Sequence, residues 1–248
     1  MNNNTDFLLA LENVSVSFDG FKAVNELNLY IDKGELRVII GPNGAGKTTV
    51  LDLICGRTRV SEGSIKFKNQ EITGYKEQKI VQLGIGRKFQ TPTIYQDLTV
   101  FENLELSLPR GRNVVGALFW SRTDEIARRV TEVAEMIFLH DDLDRLAETL
   151  SHGQKQWLEI GMLLAQDPAL LLVDEPVAGM TDSETAETAE LLRRINETHS
   201  VLVVEHDMTF VRDLDVKVTV LHEGSVLAEG SLDQVSANER VVEVYLGR

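Results

Sequence analysis

The stretch Leu36-Arg37-Val38-Ile39-Ile40-Gly41-Pro42-Asn43-Gly44-Ala45-Gly46-Lys47-Thr48-Thr49 decides how the rest of the chain is read. Leu36 to Ile40 is an apolar run ending in glycine, the pattern of a strand covered on both faces. Gly41 to Thr49 then fits G-x-x-x-x-G-K-[ST] without exception, and a helix is expected from Lys47 toward Cys55. Glycines let a backbone wrap a phosphate, while amides at a helix amino terminus aim donors and dipole at the anion. Gly41, Pro42, Asn43, Gly44, Ala45, Gly46, Lys47, Thr48 and Thr49 are therefore the candidate phosphate contacts. In such a loop the lysine reaches the β/γ-phosphates and the first threonine hydroxyl ligates Mg²⁺. A simple glycine turn before a helix needs neither Lys47 nor the threonine pair.

Two further strands are expected to end at the same edge. Leu170-Leu171-Leu172-Val173-Asp174-Glu175-Pro176 is an apolar run closed by two acids, and open α/β sheets bind ligands beyond the carboxyl ends of their strands. Side chains alternate along a strand, so Asp174 and Glu175 cannot play the same part. One can hold Mg²⁺ through water, while the other orients an attacking water. Val201-Leu202-Val203-Val204-Glu205-His206-Asp207 repeats the arrangement and brings His206 to the site. His140, His199 and His222 read as solvated or capping residues.

Outward from these strands, Leu8 to Phe18 and Leu27-Leu29-Ile31 alternate apolar and polar residues as half-buried strands do. From Thr99 to about Ala165 the patterning is helical, with Ile126, Val130, Val133, Ile137 and Phe138 at helical spacing. A polar helix is expected from Ser183 to Thr198, and a hairpin where Val218-Val220 and Val226-Ala228 flank His222-Glu223-Gly224-Ser225. The expected fold is α/β: a mixed, mainly parallel sheet with an antiparallel strand subdomain, interrupted by a helical insert. The expected organisation is a single unit spanning residues 1–248, with core about 7–90 and 166–248 and insert about 91–165.

Composition bounds the function. The 248 residues carry 25 Lys+Arg against 39 Asp+Glu, a net charge of −14, which argues against a general nucleic-acid binder. A single cysteine, Cys55, permits no internal disulfide and suits a reducing compartment. The first basic residue is Lys22, unlike the charged start of a secretory signal, and the longest apolar run, Val114 to Trp120, is too short to cross a bilayer. The expectation is a soluble, intracellular protein that reaches any membrane through a partner.

Leu150-Ser151-His152-Gly153-Gln154 resembles the L-S-G-G-Q signature of the ATP-binding cassette family, the ATPase subunits of ABC transporters. The ordered set of phosphate loop, Gln90, signature, acidic strand and His206 extends that resemblance over nearly the whole chain. It implies a P-loop NTPase core, the substrate ATP and the cofactor Mg²⁺. It also implies that Phe18, less readily Phe21, stacks on adenine, although Phe18 could equally be a core residue of the first strand. Gln90, in Arg87-Lys88-Phe89-Gln90-Thr91-Pro92, becomes the glutamine that reaches Mg²⁺ and the water. Asp174 becomes the Mg²⁺-associated acid, Glu175 the catalytic glutamate and His206 the γ-phosphate contact. Asp182 stands where the family has its dimer-contacting aspartate. Ser151, Gly153 and Gln154 join the nucleotide contacts, with Ser151 and Gly153 facing the γ-phosphate on the opposite protomer. His152 departs from the pattern, placing a side chain where the family often has glycine.

Within the family, Gly84 to Thr93, Leu98 to Leu106 and the ending Val241-Val242-Glu243-Val244-Tyr245-Leu246-Gly247 look like the branched-chain amino acid and urea uptake branch. The forms Arg87-Lys88-Phe89-Gln90-Thr91-Pro92-Thr93 and Leu150 to Gly161 are most similar to the ATP-binding subunit of urea transporters. The resemblance thus implies a second ATPase subunit, transmembrane permease subunits and, through them, a solute-binding protein. It sets the chain on the inner face of the plasma membrane and makes urea the expected solute, with branched-chain amino acids as the alternative. Tyr95, Leu98 and Phe101 are candidates for the groove that receives a permease helix, or for packing within the insert. A soluble cassette serving DNA repair or the ribosome fits poorly with one cassette, no heptad run and the acidic charge. An exporter ATPase is disfavoured by the sequence around Gln90.

Overall fold

In the computed structural model the described residues are 7–88, 94–109 and 123–246. A four-stranded antiparallel sheet is built from β1 (Leu9–Phe18), β2 (Phe21–Ile31), β4 (Glu62–Phe67) and β5 (Gln70–Glu71) in the order β2-β1-β4-β5. Beside it lies a six-stranded sheet of order β10-β9-β3-β8-β7-β6, comprising β3 (Leu36–Ile40), β6 (Ile85–Lys88), β7 (Leu170–Asp174), β8 (Ser200–Val204), β9 (Lys217–His222) and β10 (Ser225–Gly230). Only β10 runs antiparallel to its neighbour there, as the return arm of the expected hairpin. Between β6 and β7 the described residues form α3 (Val100–Ser107), α4 (Asp124–Met136), two 3₁₀ turns and α5 (His152–Leu164). Also present are α1 (Lys47–Ile54), α2 (Glu77–Leu83), α6 (Asp182–Asn196), α7 (Met208–Leu214), α8 (Leu232–Ser236) and α9 (Glu239–Leu246).

The apolar runs explain the layering. Every residue of β3, β7 and β8 is buried. Alternation sends Leu170 and Leu172 of β7 into a core shared with α1 and the antiparallel sheet, and Leu171 and Val173 into a second core shared with α3–α7. A strand with helices on one face and a sheet on the other has no solvated side, which is why these runs do not alternate. Ile39, Val204 and Asp174 are in register across β3, β8 and β7, so the residues that follow each strand emerge together at one sheet edge.

The helical spacing Ile126-Val130-Val133 forms the buried face of α4, but that helix stops at Met136, before the expected Ile137 and Phe138. Phe138 takes a left-handed φ of 59°, and Leu139 N–H returns to Ala134 O at 2.9 Å, closing the helix in the manner usually reserved for glycine. The Phe138 ring packs edge-on against Trp157 of α5 with centroids 5.7 Å apart, and that contact offsets the backbone cost of about 1 kcal/mol. No helix among the described residues is long and apolar enough to cross a membrane.

Candidate functional site

The phosphate loop joins β3 to α1 at the shared edge. Gly46, immediately before α1, has φ 97°, and a Cβ there would lie 2.5 Å from Ala23 O. Only glycine meets both demands. No side chain caps α1 and its first turn holds no acid, so the amino-terminal amides face the loop with their dipole unopposed. The Lys47 ammonium folds back over the loop and donates to Gly41 O at 2.7 Å and Pro42 O at 3.1 Å. Burial lowers its pKa, and the negative charges of Glu175 and Asp174 oppose that shift. Thr48, one residue on, is exposed.

Asp174 closes β7 and is 1% exposed. One carboxylate oxygen lies 3.4 Å from Arg87 Nη2, and the other, Oδ1, is buried without a hydrogen-bond partner among the described residues. Burial pushes the Asp174 pKa up, and the Arg87 guanidinium pulls it back. An orphaned, desolvated carboxylate oxygen beside a phosphate loop suits a divalent cation, so the donor set fits the Mg²⁺ that such loops use. Arg87, on β6, also donates to Asp52 Oδ1 at 2.5 Å and so ties the acid to α1.

Glu175 turns out of the strand in a left-handed conformation (φ 47°), its N–H bonded to Val204 O at 2.9 Å. A glutamate rarely adopts that backbone. Glu175 Oε1 lies 3.6 Å from His206 Nδ1. The residue between β8 and His206 is Glu205, fully buried, which the motif reading passed over. Its carboxylate accepts from His206 N–H at 2.8 Å, Asp207 N–H at 3.2 Å and Val177 N–H at 3.3 Å. It therefore pins the histidine turn to the loop that leaves Glu175. Its one sequence signal is an acid that ends an apolar strand with no solvent to face.

The signature sits apart from these groups in the chain's own contacts. Ser151 caps α5, accepting from Gln154 N–H at 3.1 Å, while Gln154 Oε1 accepts from Ser151 N–H at 3.0 Å. Gln154 Nε2 also donates to Asp142 Oδ2 at 3.0 Å. His152 Nε2 lies 3.0 Å from Ala178 O, so the residue that replaces glycine rests on the loop following Glu175. Asp182 is exposed at the start of α6.

Phe18 and Phe21 face each other across the β1–β2 turn, 48% and 67% exposed, so Phe18 is not a core residue. Tyr95 is 56% exposed, whereas Phe101 is half-buried against the helical core. Gln90 lies outside the described residues, as do Phe89, Thr91 to Thr93 and Val114 to Trp120. His199 lies 3.4 Å from Asp167, away from the site.

Residues 24–178 match the ABC transporter family. The chain belongs to the ABC transporter ATPases. Residues 225–248 match a second description, the branched-chain amino acid ATP-binding cassette transporter. The chain is 35% identical to the probable branched-chain amino acid transport ATP-binding protein LivG of Archaeoglobus fulgidus, over 97% of this chain and 95% of the relative. It is 33% identical to the high-affinity branched-chain amino acid transport ATP-binding protein BraF of Pseudomonas aeruginosa, over 97% and 98%. Among solved structures, the ADP conformation of an ATP-binding cassette of an ABC transporter superposes with a TM-score of 0.85 at 31% identity, over 98% of this chain and 99% of that one. A dimeric bacterial ABC transporter cassette superposes at 0.74 with 27% identity, over 90% and 98%. The fold, the ATPase class and the branched-chain amino acid type of cassette are thereby established. Urea, the solute expected from residues 87–93 and 150–161, does not appear in the names of these relatives.

Proposed function

We propose that this ABC ATPase powers an importer of branched-chain amino acids, working as a single cassette (core about 7–90 and 166–248, insert about 91–165) on the cytoplasmic face of permease subunits. The match of the carboxyl-terminal residues 225–248 to the branched-chain amino acid cassettes carries this reading, and the relatives' names agree with it. A solute-binding protein would deliver the solute, and a second ATPase subunit, itself or a paralogue, would complete each site.

Phe18 would stack on adenine, and residues 41–49 would hold the phosphates, Lys47 leaving its loop carbonyls for the β/γ-phosphates. Mg²⁺, held through Thr48, Asp174 and Gln90, would neutralise phosphate charge when bound. Glu175 would orient the attacking water, and His206, steadied by Glu205, would meet the γ-phosphate. Ser151, Gly153 and Gln154 would act from the partner's side, the first two as phosphate-facing donors. Positioning and electrostatics supply most of the catalysis of phosphoryl transfer, so these roles need no covalent intermediate.

Reconstitution with the permease and solute-binding products of neighbouring genes tests the reading. Leucine, isoleucine or valine should stimulate ATP hydrolysis, with urea inactive. Stimulation by urea alone would overturn the solute assignment and restore the one suggested by residues 87–93 and 150–161.

A further inference from the structure

We propose that Glu184 is a positioning residue of the signature: in the unpaired subunit its carboxylate holds the Ser151 hydroxyl and stands against Gly153, and it must yield both positions to the partner's γ-phosphate before two subunits close. The proposal rests on the trans role given above to the signature.

Ser151 Oγ donates to Glu184 Oε1 at 2.9 Å, and the Gly153 amide, beside the same carboxylate, adds to the lowering of its pKa. A hydroxyl carries one hydrogen, so the Ser151 donor is already engaged. Space is equally committed, because a Cβ on Gly153 would stand 2.5 Å from Glu184 Oε1. The opposite oxygen, Oε2, accepts from Thr181 N–H and Thr181 Oγ1, each at 3.0 Å, closing the capping box of α6. One carboxylate thus serves the amino ends of two helices. These donors hold Glu184 below the usual carboxylate range, the state of an anion well bound.

A phosphate and a carboxylate cannot share one hydroxyl hydrogen and the same space at Gly153, and their like charges repel. Arrival of the partner's γ-phosphate therefore requires Glu184 to release α5. A second contact moves with it: Gln156 Nε2 donates to Ala178 O at 3.1 Å, beside His152. Both contacts fasten the signature helix to the segment that begins at Glu175, so release of the signature toward the partner's nucleotide reaches this chain's own Glu175.

In the assembled transporter, Glu184→Gln keeps the side-chain shape, and glutamine still serves the capping box, but the competing charge is gone. The ATP concentration for half-maximal hydrolysis should fall about tenfold while kcat stays within about twofold. An unchanged or raised half-saturation in a normally folded variant overturns the proposal. In the isolated chain, NMR titration of the Glu184 carboxyl should give a pKa below the ordinary range that returns toward it in Ser151→Ala. An ordinary value in the wild type also overturns the proposal, whatever the variants do. Absence of ATP hydrolysis by the wild-type transporter would instead defeat the reading under Proposed function, leaving the titration to judge Glu184.

Discussion

At the amino end of α1 no side chain caps the helix, and among the described residues Lys47 donates to neutral loop carbonyls. At the amino end of α5, Ser151 and Gln154 cap the helix reciprocally, and the Glu184 carboxylate already holds the Ser151 hydroxyl and stands against Gly153. Both are helix ends aimed at phosphate in the proposed reaction, yet one is open and the other is closed on its own chain. The difference follows from whose nucleotide each serves. In the proposed reaction the α1 end would bind the ATP of its own subunit and gain from standing empty, since unsatisfied amides and an unopposed dipole favour an incoming anion. The α5 end would serve the partner's ATP, which would arrive only on pairing. Held by Glu184, the Ser151 hydroxyl keeps an acceptor through the unpaired state.

The open end is tested first because its effects should be largest. Glu175→Gln keeps size and hydrogen bonding but removes the charge that orients water, so kcat should fall by about 10²-fold or more with ATP still bound. Turnover near wild type would move the water-orienting role elsewhere, with His206, 3.6 Å from Glu175, the neighbouring alternative. Lys47→Ala removes the loop's only ammonium, whose charge Asp174 and Glu175 feel. ATP affinity measured by calorimetry should drop by at least tenfold, about 1.4 kcal/mol. Unaltered affinity would mean that the amides of α1 alone bind the phosphates.

The closed end should respond more modestly. Ser151→Ala removes both the α5 cap and the bond to Glu184, costing about 1 kcal/mol and about 2–4 °C in Tm by thermal melts. No loss would show that Gln154 and the backbone suffice. The smallest effect is one of pH. Glu184 has a folded pKa below its unfolded value, so its contribution is present above the ordinary glutamate range and lost as pH falls through the folded value. Denaturation midpoints measured from neutral to acidic pH should therefore decline less steeply in Glu184→Gln. Asp174 has the opposite sign: its raised folded pKa favours the protonated fold, and that contribution fades as pH rises through the folded value.

Much of this was legible without coordinates. The phosphate loop, the acidic strand end and His206 could be read because each is a short run whose chemistry and immediate neighbours are contiguous in sequence. The three buried strands could be read because a face covered on both sides leaves a continuous apolar run. Glu205 and Glu184 could not. Glu205 matters because its carboxylate meets the amide of Val177 across two strands, and Glu184 because α6 returns to the amino end of α5.

The sequence by itself determined which residues are chemically equipped for ATP: their types, their spacing and the strand or helix that carries each. Tertiary structure alone decided how they stand before the reaction. It exposed both Phe18 and Phe21 at the hairpin, stopped α4 at Met136 by packing Phe138 on Trp157, and left Asp174 Oδ1 without a partner among the described residues. It also set the signature against an acid from its own chain. Spacing in sequence records local geometry, whereas burial and the choice of hydrogen-bond partner depend on which distant segments meet, and no short stretch encodes that meeting.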